Sequence, residues 1–301
     1  FVSFDAKSFQ NIPKISIKMG GRLVLVPSNY DPVNHTYSGS WNGTFKQAWT
    51  DNPAWIVYDI ILHKRFGIGR RIPSSFLNKW TMYSIARRCD ELVTNADGTQ
   101  NRRYTCNVYI QKRAHAWSVI RDLASIFNGM VSYSNMQLQF AQDAPAEVRH
   151  VVTNDDVVNG TFEYSYGSMA NRRGIAMVTF DDPKAHYKTQ TTVAQIKDLV
   201  ERYGVEPLEV SGIGCTDEYE AQRRGLWALL SNTNDMQISY RVGLNGIKYL
   251  IGDVVGIANR YVQGGQFGGR VAGVSGTTIT TDRMISDHVA IGDRVIVRQA
   301  G

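Results

Sequence analysis

The sequence predicts an α+β fold of more than one domain, and three observations carry that prediction. Residues 52–67 and 74–93 set apolar side chains at helical spacing behind helix-start residues. Short stretches such as "YTCNVYI" (104–110) and "GIAMVTF" (174–180) alternate apolar and polar residues, as half-buried strands do. The last sixty or so residues are nearly pure strand pattern broken by Gly, Asn and Asp, and a small antiparallel barrel is the natural closure for so many short strands. The expected organisation is the end of an N-terminal β domain (1–28), an α+β domain (29–145), a β-rich domain with one long helix (146–243) and a small antiparallel β-barrel truncated at its end (244–301).

Element by element, "KISIKMGGRLVLV" (14–26) reads as two short strands joined at Gly20-Gly21, and Pro27 to Lys46 reads as irregular. Asn52-Pro53 supplies a cap and a first helical residue. Ala54, Val57, Tyr58, Ile61 and Leu62 form the stripe behind it, and Gly67 is the expected stop. Lys64, Arg65 and a charged His63 suit the negative end of that helix. A second helix begins at Ser74 or Ser75 and carries Met82, Ile85, Ala86, Cys89, Leu92 and Val93 on one face. "YTCNVYI" is a strand with Tyr104, Cys106, Val108 and Ile110 on one side. A third helix spans about 113–128, with Ala116, Trp117, Ile120, Leu123, Ala124 and Phe127 inward, and a hairpin turns at Asn135. A short helix covers 194–203. A longer one runs from a Thr216 cap to about Ser231, burying Tyr219, Leu226, Trp227 and Leu230. Ser275-Gly276 marks a tight hairpin, and Gly252-Asp253 and Gly292-Asp293 open two similar strands.

Composition narrows the class. Of 301 residues, 43% are hydrophobic and 20% charged, which describes a globular chain rather than a disordered or collagen-like one. No stretch approaches the ~18 consecutive apolar residues of a membrane helix. The chain opens at Phe1 without a Met and closes just after the strand-like "RVIVRQ", so it reads as a trimmed fragment. The net charge of +6 is dispersed in pairs, among them Arg70-Arg71, Arg87-Arg88, Arg102-Arg103 and Arg172-Arg173. A nucleic-acid binder concentrates its charge in one patch. Cys89, Cys106 and Cys215 are widely spaced and form no C-x-x-C, and Cys89 and Cys106 fall on apolar faces, as expected of a reducing compartment.

Chemistry-bearing patterns are scarce. The histidines at 35, 63, 115, 150, 186 and 288 lie in separate neighbourhoods, and none sits at zinc spacing from a cysteine. Phosphate-loop, zincin and nucleophile-elbow motifs are missing, and "GIG" (67–69) follows a helix rather than a strand. Asp155-Asp156 and Asp181-Asp182 are sequence neighbours at turns and so unsuited to a carboxylate dyad across a cleft. Asn42-Gly43-Thr44 and Asn159-Gly160-Thr161 also read as turns, and Gly264-Gly265 with Gly268-Gly269 as a flexible β-loop. No catalytic residue, cofactor or metal ligand is assigned, and no enzyme activity is expected. The candidate functional residues are protein–protein contacts: Tyr37, Trp41 and Phe45, spaced by four in a turn-rich segment, with the pairs Arg70, Arg71 and Arg172, Arg173. Arg, Tyr and Trp supply most interface hot spots.

The stretch "YDPVNHTYSGSWNGTFKQAWTDNPAWIVYDIILHKRFGIG" closely resembles the tail tip attachment proteins J of lambda-like siphophages, the host specificity proteins. The resemblance continues in order through "KWTMYSIARRCDE", "TCNVYI", "AWSVIRDLASIFNGM", "LQFAQDAP", "FEYSYGSMANRRGIAMVTFDDP", "ERYGVEPLEVSGIGCTDEYEAQRRGLWAL" and "IGDVVGIAN", and covers 28–283. It implies a homotrimeric hub related to baseplate hubs, with tube-like β domains in a ring and α+β domains inserted around it. That ring continues and closes the tail tube and lets DNA pass without specific binding. The implied partners are further copies of the chain, the distal tail and other tail-tip proteins, and the tape measure protein. A host receptor would be met only through C-terminal domains absent here. The implied location is the virion tail tip, of a free phage or a prophage, after assembly in the host cytoplasm. The competing expectation is a tail module that binds or hydrolyses cell-wall glycan.

Overall fold

A computed structural model describes residues 17–111, 114–134, 136–259, 261, 270–282 and 297. Over these residues the chain is a mixed α/β protein with five α-helices and eight small sheets. None of these sheets closes into a barrel. The helices are α1 (Pro53–Leu62), α2 (Lys79–Cys89), α3 (Ala116–Ser125), α4 (Lys197–Tyr203) and α5 (Glu218–Thr233).

The first core gathers α1, α2 and α3 with the strands Val24–Pro27 and Phe45–Ala48, which pair antiparallel, and the hairpin Gly129–Ser134 with Gln137–Gln142. α1 is apolar nearly all round and therefore sits centrally, with Trp55 fully buried and Ile61 1% exposed. Its start is the one expected: Asn52 accepts the Ala54 N–H at 3.0 Å and Pro53 occupies the first position. Its end differs. The helix stops at Leu62, and His63 Nδ1 accepts the N–H groups of Arg65 (3.1 Å) and Phe66 (3.0 Å). The ring thus serves as a hydrogen-bond acceptor for the turn that follows the helix. The "RFGIG" loop then folds back on the last turn, with Ile68 N–H donating to Ile61 O at 3.2 Å. A Cβ at Gly67 would stand 1.6 Å from Ile60 O, and one at Gly69 1.9 Å from Leu62 O, so this close approach requires glycine.

The second core places α5 on a three-stranded sheet. Its middle strand, Ile175–Asp182, pairs antiparallel with Lys188–Gln195 and parallel with Pro207–Ser211, the crossover running through α4. α5 starts at an Asp217 cap rather than at Thr216. It also presents a different face from the expected one. Ala221, Gly225 and Leu229 face inward, with Glu220 and Arg224 beside them, while Leu226, Trp227 and Leu230 are 38%, 39% and 52% exposed. Close approach decides the matter. A Cβ at Gly225 would lie 2.8 Å from Ala194 Cβ and 2.9 Å from Val178 Cγ2, so the helix seats on its small residues.

Other elements shift too. Residues 17–23 form no strand, and 27–46 contain the small pair Tyr30–Asp31 with Thr36–Tyr37. A 3-10 turn at Ser74–Phe76 precedes α2, which takes Asn78 as its cap, and Leu92–Thr94 pairs with Gln100–Arg102 instead of extending the helix. "YTCNVYI" is not a strand, because its N–H groups go elsewhere: Tyr104 to Cys89 O, Cys106 to Asp51 O and Asn107 to Gly214 O. Trp117, expected inside, is 38% exposed. Glu163–Ser165 pairs with Gln237–Ser239, a pairing the sequence did not indicate, and Val271–Ser275 pairs with Thr278–Thr281 around Gly276, as the Ser275-Gly276 turn indicates. Val255–Ala258 runs parallel to His150–Thr153, so the region after 244 joins the one before it. The Asn135 turn, the start of the expected third helix, the Gly264–Gly269 loop, the strand after Gly292 and His288 lie outside the described residues.

All three cysteines are buried and free. Burial pushes the Cys106 and Cys215 thiols up to about 12 and Cys89 well above the usual thiol range. An aromatic disulfide reagent at pH 8 should therefore leave the folded protein unlabelled and react with three thiols in denaturant. Rapid labelling of any cysteine in the native chain would contradict this burial.

Candidate interaction surface

The aromatic cluster answers first to packing. Tyr37, Trp41 and Phe45 converge on α1 and α2 as one group, and Trp41 is only 7% exposed. Trp41 stacks on Tyr83 with ring centres 4.9 Å apart and meets Phe45 edge-on at 5.1 Å. Phe45 in turn stacks on Tyr58 at 5.0 Å. Trp41 Nε1 donates to Thr44 O at 2.6 Å and Trp55 Nε1 to Tyr37 OH at 3.1 Å, so these indoles are bonded as well as packed. These three sequence-predicted contact residues sit mainly against their own chain.

A buried polar network lies beside them, and sequence reading did not find it. Asn52, fully buried, donates to Ala86 O (2.9 Å) and Asp90 Oδ2 (2.7 Å), tying the start of α1 to the end of α2. Tyr37 OH donates to the same Asp90 oxygen at 2.7 Å. His35, with a left-handed backbone (φ 55°), puts Nδ1 2.6 Å from Tyr30 OH and 3.6 Å from both Asp51 Oδ1 and Asp90 Oδ1. Burial, reinforced by Asp90, pushes both phenols far above their ordinary range, so they act as neutral hydroxyls. An open hollow of about 280 Å³ borders His35, Thr36, Tyr37, Arg87, Asp90 and Glu91. The His35 imidazole lies within 3.6 Å of both the Asp51 and the Asp90 carboxylate. The geometry therefore builds a brace between helices. The only readable signal for it was the Asn-Pro-Ala-Trp start of α1.

The arginine pairs divide. Arg172 bonds Tyr203 OH (3.1 Å) and Asp235 (3.0 Å), and Arg173 pairs with Glu206 (3.0 Å), so both hold the second region together. Arg70 and Arg71 are exposed on the loop after α1, near Phe66, which is 66% exposed. No ion pair engages either arginine among the described residues. The neighbouring-acid pairs act as turn chemistry. Asp156 closes a capping box with Thr153, and Asp182 Oδ1 accepts the Lys184 N–H at 2.8 Å. No group of three potential metal ligands occurs among the described residues.

Exposed apolar side chains lie on other elements. The outward face of α5 offers Leu226, Trp227 and Leu230. The segment after Cys106 leaves Val108, Tyr109 and Ile110 37%, 82% and 47% exposed, and the hairpin Val271–Ser275 with Thr278–Thr281 is solvent-facing along nearly all its length. Contiguous exposed apolar surface, where it occurs, marks contact sites.

Residues 115–274 match the model of a family described as putative phage tail protein. The chain belongs to this phage tail protein family. Among relatives of the tail protein, the Tip attachment protein J of Escherichia phage SECphi4 is 47% identical over 303 residues, covering 99% of this chain and 26% of that protein. The Tip attachment protein J of Escherichia phage SECphi27 is 38% identical over 283 residues, covering 93% of this chain and 24% of that protein. The tail protein spans about a quarter of the length of these relatives. The crystal structure of the prophage MuSo2 43 kDa tail protein from Shewanella oneidensis aligns with a TM-score of 0.37 at 14% identity, over 52% of this chain and 48% of that one, too distant to carry detail.

Proposed function

We propose that this tail protein is the structural hub of a phage tail tip. Three copies form a ring that continues and closes the tail tube and later conducts DNA. The observation that carries this reading is incomplete sheet architecture. Seven of the eight sheets over the described residues have two strands and one has three. A two-stranded ribbon not packed on a helix is marginal in water, and the exposed hairpin at 271–281 is available to strands of neighbouring copies. Closed tube-like β domains and a C-terminal barrel are thus read as products of assembly. Under this proposal 29–145 is the inserted α+β unit, 146–243 and 244–301 contribute to the ring, and 1–28 ends a preceding β domain.

The outer face of α5, the hairpin, and the Arg70–Arg71 loop are the proposed contacts with sister copies, distal tail, other tip proteins and tape measure. Tyr37, Trp41 and Phe45 act there mainly by holding their segment in shape. Arg172 and Arg173 act by fixing the second region. Dispersed charge suits passage of DNA, since each neutralised phosphate would add affinity through counterion release. Host recognition is assigned to parts of the protein outside this chain, and no catalytic role to this one.

Electron microscopy of the chain mixed with its distal tail partner should show three-fold rings with a central hole. Leu230→Asp together with Val274→Asp should abolish the rings while leaving the thermal midpoint within about 2 °C of the parent, as surface substitutions do. Rings that persist in that variant would remove these faces from the interface. Release of muropeptides from peptidoglycan by the parent would favour the glycan-hydrolysing reading instead.

A further inference from the structure

Where α5 meets the segment before Cys106, a cavity of about 150 Å³ is lined by Arg103, Tyr104, Asn128, Arg223, Arg224 and Trp227. Three guanidiniums on one small wall are a costly arrangement unless each is matched. Two are: Arg103 pairs with Glu91 at 3.0 Å and Arg224 with Glu220. Arg223 is not. Its Nη1 donates to Asn95 Oδ1 at 2.9 Å and its Nη2 to the carbonyls of Arg102 and Arg103 at 3.0 and 3.4 Å, all neutral acceptors. No carboxylate among the described residues forms an ion pair with it. Arg223 and Arg224 each also keep a buried Nε–H with no acceptor, and Arg224 is only 7% exposed. The lining residue Trp227 donates through Nε1 to Asp143 Oδ2 at 2.7 Å, so that carboxylate is engaged as well.

An unmatched guanidinium on a wall that carries two more calls for an anion with several oxygens. We propose that this cavity binds one phosphate-type oxyanion between α5 and the Arg103–Tyr104 segment. The volume corresponds to about five waters. It falls short of the roughly 300 Å³ at which drug- or nucleotide-sized pockets begin, so a free inorganic ion fits and a nucleotide does not. Because Arg103, Tyr104 and Asn128 belong to the first region and Arg223, Arg224 and Trp227 to α5, a bound ion ties the two regions together.

Inorganic phosphate titrated into the full 301-residue chain at constant ionic strength should give a saturable one-to-one heat and raise the thermal midpoint. Arg223→Gln should weaken that binding about tenfold or more, the loss expected for a charge-assisted contact. Arg103→Gln tests the same wall from its more exposed side should Arg223→Gln fail to fold, and Lys46→Gln, exposed on the strand Phe45–Ala48, should bind as the parent does. Heats indistinguishable from those of sodium chloride, or equal affinity in the parent and both cavity variants, would overturn the site and leave a water-filled hollow.

Discussion

Replacing Gly225 with leucine should lower the stability of the second region by about 3 kcal/mol and its thermal midpoint by roughly 6–12 °C. The direction follows from two opposed effects. In a helix interior leucine is favoured over glycine by somewhat under 1 kcal/mol, so an exposed site would gain. At Gly225 even the first added carbon would lie 2.8 Å from Ala194 Cβ and 2.9 Å from Val178 Cγ2, and Ala176 Cβ follows at 3.5 Å. These three atoms sit on paired strands, Ile175–Asp182 and Lys188–Gln195, which cannot yield one by one. Leucine adds three more carbons to an interface without room, so α5 must lift and uncover Val178 and Leu229, both fully buried. Gly225→Ala should show a smaller loss of the same sign. An unchanged midpoint for the leucine variant in scanning fluorimetry would mean that α5 does not seat on the sheet through this residue.

α5 also shows where the sequence was legible and where it was not. Its existence and length could be read from the run 216–231, and the helix spans 218–233. Its inward face could not. Hydrophobic periodicity weighs size, and Leu226, Trp227 and Leu230 outweigh Ala221 and Gly225, although close packing on a sheet selects the small residues. "YTCNVYI" failed for a related reason. Alternation reports which side chains share a face, not whether a neighbouring strand exists, and Cys106 N–H goes to Asp51 O instead. α1 succeeded because Asn52-Pro53 is local chemistry that needs no partner. Even there the second half of the role of Asn52 was hidden, because its Asp90 partner lies 38 positions away. Spacing marked Tyr37, Trp41 and Phe45 as a group, and their destination in the core depended on Tyr83 and Tyr58 from helices elsewhere in the chain.

Glu220→Ala should cost about 3–5 kcal/mol, whereas Glu220→Met combined with Arg224→Met should leave stability unchanged or raised. The pair lies one turn apart on α5, with Glu220 1% and Arg224 7% exposed. Glu220 Oε2 also accepts the Thr105 N–H at 3.1 Å and its hydroxyl at 2.7 Å, a contact between residues 115 positions apart. Arg224 Nη1 donates to Ile213 O at 2.9 Å. Removing the carboxylate leaves a buried guanidinium whose only bonded acceptor is a carbonyl, and that accounts for the large single-site loss. Removing both charges also removes both desolvation costs. Burial pushes the Glu220 carboxyl up despite the adjacent guanidinium, so ionising it in the folded state is a net burden. Arg224→Met adds a test by pH. Without the guanidinium the carboxyl is raised further; its stability contribution is then full below the unfolded pKa of about 4.3 and lost as pH climbs through the folded value. That variant should be far weaker than the parent at pH 7.5 and should recover much of the gap at pH 5. Urea midpoints of the two singles and the double at both pH values check all of this. Single losses that simply sum in the double would show that the two side chains act independently, and the brace between α5 and Thr105 would then have to rest on packing alone.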